Sequence, residues 1–166
     1  MKIGIIGAGN LGQSIAKGIL HSDGATSMYL SKRNTASLDA FKKFNQVTIT
    51  TENEALVKHS DILIFAVQPS QFQDILTEIT EFLTEKHVLI STITGFSIQK
   101  MEALIGHHHF IVRAMPNTAI SVGASMTCLC ANEAGAKRIA IAKAIFDRMG
   151  KTMTIPETKM QAATVI

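Results

Sequence analysis

Lys2-Ile3-Gly4-Ile5-Ile6-Gly7-Ala8-Gly9-Asn10-Leu11-Gly12 decides the fold of this chain. The apolar run Lys2 to Ile6 reads as a buried strand, and it leads straight into a glycine-rich turn. From Asn10 to His21 apolar residues recur at 11, 15, 19 and 20, which is helical spacing. Glycines at 7, 9 and 12, between a strand and a helix, form the GxGxxG fingerprint of a dinucleotide-binding βαβ unit. Gly7 permits the tight turn. Gly9 leaves room for a pyrophosphate to approach the backbone, and Gly12 lets the helix pack close to the strand. The N–H groups at the helix start then face an anion.

Outward from this unit, short apolar runs alternate with helical ones. Strands are expected over Ser27 to Leu30, Val47 to Ile49, Asp61 to Val67 and Val88 to Thr92, then over Phe110 to Ala114, Ser125 to Ala131 and Lys151 to Ile155. Helices are expected over Thr35 to Phe44 (with Thr35 as N-cap), Glu52 to His59, Gln71 to Leu83, Ser97 to Ile105 and Glu133 to Met149. Gly150 ends the last of these. The unbroken apolar run Ile62 to Val67 suits a strand covered by helices on both faces. Such alternation predicts an α/β fold, a Rossmann-type doubly wound, mostly parallel sheet flanked by helices. Its ligand crevice lies outside the carboxyl ends of the strands.

Composition narrows the partners. The chain has 166 residues, 46% hydrophobic and 17% charged, with a formal net charge of +3. That describes a globular domain, and the basic excess is too small and scattered to predict nucleic-acid binding. No apolar stretch reaches the roughly 18 residues of a membrane helix, and no signal-peptide pattern opens the chain. Cys128 and Cys130 are too few for a disulfide framework, so they are expected to be reduced core thiols in a cytoplasmic protein. His107-His108-His109 is expected to be a solvated loop and not a metal site. The methionines are expected to fill the core, and His21 and His59 to end helices.

The end of the second strand selects the cofactor. A site for NAD places Asp or Glu roughly 20 residues beyond the glycines, on the ribose 2′-OH. Here Leu30-Ser31-Lys32-Arg33-Asn34 contains no acid. Arg33 can fork onto a 2′-phosphate and Ser31 can donate to it, so NADPH is the expected cofactor. Lys32 is expected to face solvent.

Further segments carry a family resemblance. They are Ala66-Val67-Gln68-Pro69-Ser70-Gln71, Thr92-Ile93-Thr94-Gly95-Phe96-Ser97 and Arg113-Ala114-Met115-Pro116-Asn117-Thr118-Ala119. With the glycine turn and Ser31 to Asn34, they resemble pyrroline-5-carboxylate reductase, which reduces a cyclic imine to L-proline. Met115 to Thr118 is the most specific of these segments. The resemblance implies that Gly7, Ala8, Gly9, Asn10, Leu11, Gly12, Ser31, Arg33 and Asn53 contact the adenosine and pyrophosphate half of NADPH. Ala66, Val67, Gln68 and Pro69 would line the nicotinamide ribose. Thr92, Ile93, Thr94 and Gly95 would lie near the nicotinamide. Met115, Pro116, Asn117 and Thr118 would form the floor where ring and substrate meet, with Asn117 and Thr118 orienting the reactants.

The resemblance also divides the chain into a cofactor domain over 1–156 and the opening of a helical domain over 157–166. That second domain would carry the substrate-carboxylate site and the contacts of a homo-oligomer, so the chain alone is expected to be inactive. Departures from the family pattern fall at Gln68-Pro69-Ser70, where Lys-Pro-Gln is usual, at Ala119 in place of proline, and at Ser125 in place of glycine. Other readings are a non-catalytic dinucleotide-binding module and a reductase using a deazaflavin coenzyme. Met115 to Thr118 argues against the deazaflavin.

Overall fold

The computed structural model describes residues 1–163 of the chain. Strands β1 (Lys2–Ile6), β2 (Ser27–Ser31), β3 (Val47–Thr50) and β4 (Ile62–Phe65) come first, with α1 (Asn10–His21) and α2 (Asn53–Lys58) among them. They are followed by α3 (Pro69–Ile79), β5 (Val88–Ser91), α4 (Ile98–Ile105), β6 (Phe110–Met115) and β7 (Ser125–Ala131). The described chain closes with α5 (Ile139–Phe146), β8 (Gly150–Thr154) and α6 (Met160–Ala163). All eight strands form one sheet in the order β3-β2-β1-β4-β5-β6-β7-β8. Every pair is parallel except β6–β7. The link from 116 to 124 is shorter than the dozen or so residues a parallel crossover takes, so β7 turns back beside β6. The expected doubly wound, mostly parallel sheet is the observed fold.

Side chains along each strand divide between two cores with period two. Ile3, Ile5, Ile62, Ile64, Val88 and Ile90 pack on one face with α1 and α5. Leu63, Phe65, Leu89 and Ile111 pack on the other with α2, α3 and α4. Gly4 faces this second core, where an added Cβ would lie 2.4 Å from Leu56 Cδ2. Its lack of a side chain lets α2 approach β1. Strand order reverses between β1 and β4, and that switch point opens a crevice at the carboxyl ends of the strands.

Two expected helices are corrected. In place of a helix over 35–44 there is a 3-10 segment over Thr35–Phe41, and its cap is Asn34, whose side chain accepts the Ala36 N–H. Leu38 and Phe41 are its buried residues, three apart, which is 3-10 spacing. The long helix expected over 133–149 is broken into 3-10 turns at Gly135–Lys137 and Asp147–Met149 around α5. At the first of these breaks the Gly135 N–H donates to Asn132 Oδ1 at 2.6 Å, and a Cβ there would sit 2.1 Å from the Ile111 carbonyl oxygen. Helix α3 starts earlier than expected, with Pro69 in its first turn, where the missing N–H costs nothing. The tail expected to be helical over 157–166 is described as a 3-10 turn at Glu157–Lys159 and α6. Thr164, Val165 and Ile166 lie outside the described residues.

Smaller expectations divide. Cys128 and Cys130 are buried free thiols of the second core. Burial, the first cause, pushes the Cys130 thiol up to about 11, so it is neutral at pH 7. Met28, Met101, Met149 and Met160 are buried, but Met1 and Met153 are exposed. His21 and His59 do end α1 and α2, and His59 Nδ1 sits 2.8 Å from the Ala55 carbonyl oxygen. No helix among the described residues is long and apolar enough to cross a membrane.

The histidine run is not wholly solvated. His107 and His108 are exposed, but His109 is buried and its Nδ1 has no partner among the described residues. Burial, with His108 and His87 nearby, holds the His109 imidazole below its ordinary value of 6.5. The unfolded chain therefore binds a proton more readily than the folded one. Stability contributed by this difference is present above about pH 6.5 and is lost as pH falls toward the folded value. The melting temperature is expected to drop between pH 7 and pH 5, and His109→Gln should flatten the slope. An unchanged slope in the variant would refute this role.

Candidate cofactor site

The glycine turn joins two strand ends. Gly7 adopts φ +87°, and an added Cβ would lie 2.8 Å from the Val67 nitrogen. The N–H groups of Gly7 and Ala8 both donate to the Ser31 carbonyl, at 3.1 and 2.9 Å. Gly12 faces the turn, where a Cβ would meet the Gly7 carbonyl oxygen at 2.8 Å. Gly9 differs from both: a Cβ there would meet nothing within 4 Å. It caps α1 without a side-chain hydrogen bond, and the first turn of α1 holds no acidic residue. The turn is thus packed tight at Gly7 and Gly12 and open at Gly9. Open space above helix N–H groups suits an anion.

A cavity of about 490 Å³ lies on that open side, at the carboxyl ends of β1, β2 and β4. Gly7 and Gly9 form its floor, and Ala66, Val67 and Gln68 one wall. Ser31, Lys32, Arg33 and Asn34 close the end of β2 with no carboxylate among them. Ser31 Oγ donates to Asn53 Oδ1 at 2.8 Å, which fixes both side chains at the rim. Arg33 is exposed and forms no ion pair among the described residues. Lys32 lines the cavity instead of facing bulk solvent only, and its Nζ donates to Ser37 Oγ at 2.8 Å. Gln71, Ile75 and Glu78 supply the wall from α3. Sequence reading missed them, although their spacing of four and then three residues marks one helix face.

A second cavity of about 430 Å³ lies at the carboxyl ends of β5 and β6. Thr94, Gly95 and Met115 line it, with Ser97, Arg113, Glu157, Thr158 and Gln161. Other expected residues line neither cavity. Ala8 and Gly12 are buried beneath the turn, Leu11 is half-buried and Asn10 exposed. Pro69 is exposed at the start of α3. Thr92 and Ile93 are buried, and Thr92 Oγ1 donates to the Phe65 carbonyl at 2.7 Å. Pro116 is half-buried and Thr118 exposed.

Asn117 is held by its neighbours. Its Oδ1 accepts the Ala119 N–H at 3.2 Å, and its own N–H donates to Ser125 Oγ at 3.3 Å. Ser125 Oγ in turn lies 3.1 Å from Thr127 Oγ1. Both partners of Asn117 are positions that depart from the family pattern. A proline at 119 has no N–H to give, and a glycine at 125 has no hydroxyl.

Residues 2–95 match the family described as NADP oxidoreductase, coenzyme F420-dependent. The chain belongs to this family. Among curated members of similar sequence, pyrroline-5-carboxylate reductase 1 of Dictyostelium discoideum is 34% identical over 99% of this chain and 32% of its own length. A solved pyrroline-5-carboxylate reductase from Coxiella burnetii superposes with a TM-score of 0.91 at 29% identity, over 98% of this chain and 62% of the other. The Plasmodium falciparum pyrroline carboxylate reductase, solved with NADP bound, gives 0.85 at 28% identity, over 98% and 60%. The chain therefore spans at most about three fifths of the length of these relatives.

Proposed function

We propose that this chain is the cofactor-binding part of an NADPH-dependent imine reductase, acting on 1-pyrroline-5-carboxylate to form L-proline. The observation that carries the cofactor is the open space at Gly9 above the α1 N-terminus, beside a β2 end lined by Ser31, Lys32 and Arg33. The likeness to named reductases supports the substrate. Bound NADPH would supply a hydride from nicotinamide C4 to the imine carbon, whose protonated C=N is already electrophilic. The protein then needs position and charge placement more than a base. Gly7 to Gly12 would hold the pyrophosphate. Ser31, Arg33 and Asn53 would hold the adenosine 2′-phosphate side, with Lys32 adding charge. Ala66, Val67, Gln68 and Pro69 would flank the nicotinamide ribose. Thr92 to Gly95, Met115 and Pro116 would border the ring, and Asn117 and Thr118 would orient substrate against it.

The same reading takes 157–166 as the opening of a helical domain with substrate and subunit contacts, and the cytoplasm as the compartment of the enzyme. Titration with NADPH and NADH tests the cofactor: NADPH is expected to bind more tightly. Arg33→Ala should weaken NADPH about tenfold, the worth of a charge-assisted contact at an exposed site, and leave NADH nearly unchanged. Equal affinities of the unmodified chain for the two cofactors would overturn the assignment. Proline formation from pyrroline-5-carboxylate by the gene product, with NADPH as reductant, tests the substrate. A product that binds NADPH but turns nothing over would favour the non-catalytic module.

A further inference from the structure

Arg113 on β6 carries a guanidinium side chain that is only 8% exposed. Its ion-pair partner is Glu157, with 2.9 Å between Nη1 and Oε1. Arg113 Nη2 also reaches the Ile93 carbonyl oxygen at 3.4 Å. The same Glu157 oxygen accepts the Ile98 N–H at 2.8 Å, at the first residue of α4. Ser97 Oγ caps that turn as well, accepting the Lys100 N–H at 3.2 Å. One ion pair thus grips the chain at Ile93 and again at Ile98.

Between those grips lies the turn Thr94-Gly95. Both residues are exposed, and Gly95 adopts φ +78° with nothing within 4 Å of an added Cβ. Neither makes a hydrogen bond of its own among the described residues. The position of this turn is therefore set from its two ends, which Arg113 and Glu157 hold together with the Ile93 N–H bond to Ser91 Oγ and the edge-on packing of Phe96 on Phe72. Glu157 sits just beyond β8, so the tail is tied to the turn by the same carboxylate.

We propose that Arg113 and Glu157 form a positioning pair for the Thr94-Gly95 turn, and through it for the nicotinamide half of the cofactor site. Neither residue need touch the cofactor. The inference rests on the reading of this chain as an NADPH-binding domain. It separates the two halves of the ligand: the adenosine end meets Ser31, Arg33 and Asn53, which the pair does not contact.

The test compares NADPH with 2′,5′-ADP, which carries the adenosine end and the 2′-phosphate but no nicotinamide. Glu157→Ala is expected to weaken NADPH about tenfold, the effect of losing charge-assisted hydrogen bonds. Its affinity for 2′,5′-ADP should stay within about twofold, and the fluorescence change of bound NADPH should shrink. Glu157→Gln keeps the size and an acceptor for the Ile98 N–H, so it folds even where the alanine variant does not. It should weaken NADPH about threefold and leave 2′,5′-ADP alone. Unchanged NADPH binding in both variants overturns the proposal, and so does an equal loss for both ligands. An unmodified chain that fails to bind NADPH tells against the proposed function instead.

Discussion

Gly9→Ala is expected to leave the fold standing and to abolish useful dinucleotide binding. Residue 9 has φ −80° and ψ −154°, an extended backbone outside the left-handed region that favours glycine. The added methyl meets no protein atom within 4 Å. Exchange of glycine for alanine at a helix N-cap costs about 1 kcal/mol or less, so melting should shift by only a few degrees. The methyl would instead occupy the space a pyrophosphate needs over the first N–H groups of α1. Moving that anion off its donors should cost about 100-fold in NADPH affinity, roughly 2.7 kcal/mol. Gly7 is the contrast. Its φ of +87° and the Val67 backbone at 2.8 Å make Gly7→Ala lose fold and ligand together, so that variant does not separate the two roles. Melting curves and NADPH titration on Gly9→Ala decide the matter. Retained affinity would mean that no phosphate sits over the turn, and a collapsed melting temperature would mean that Gly9 is structural after all.

That separation could be read from sequence because the information is local. Strand, turn and helix at Lys2 to His21 are neighbours in the chain, and each glycine acts within a few residues of itself. The same holds for Ser31, the last residue of β2, for Arg33 two residues on, and for the buried runs in β4 and β5. Lys32 was the exception, since only the path of 35–41 shows its Nζ turned to Ser37 along the cavity wall. What could not be read were contacts fixed by topology. Glu157 reaches Ile98 across 59 positions and Arg113 across 44. Neither spacing carries a local signal, because the partners meet only once α4, β6 and the tail have packed. Asn117 is a middle case. Its Asx-type bond to Ala119 is local, but its bond to Ser125 needs β7 to turn back beside β6.

Asn132 is the side chain whose removal should cost the fold most; its place just before the expected helix is a local capping signal, but its partners on β6 and α4 are set by topology. It sits just past β7, 7% exposed. Its Oδ1 accepts the Ile111 N–H at 3.2 Å and the Gly135 N–H at 2.6 Å. Its Nδ2 donates to Glu102 Oε1 and to the His109 carbonyl, both at 3.0 Å. One carboxamide therefore joins the start of β6, the middle of α4, the buried histidine and the turn into α5. Asn132→Ala leaves several of these groups buried without partners. Each such loss costs about 1–3 kcal/mol, so a total near 4 kcal/mol is expected even after partial rehydration. That is a large share of the 5–15 kcal/mol that holds a typical domain. Asn132→Asp is a sharper probe, because it keeps the acceptor for Ile111 and Gly135. It sets a second carboxylate against Glu102 and removes the donor to His109, so it should also destabilise, and more at pH 7 than at pH 4. Urea unfolding of the two variants at both pH values reads this directly. If Asn132→Ala costs less than about 1 kcal/mol, water has replaced the carboxamide and the junction is held by packing alone.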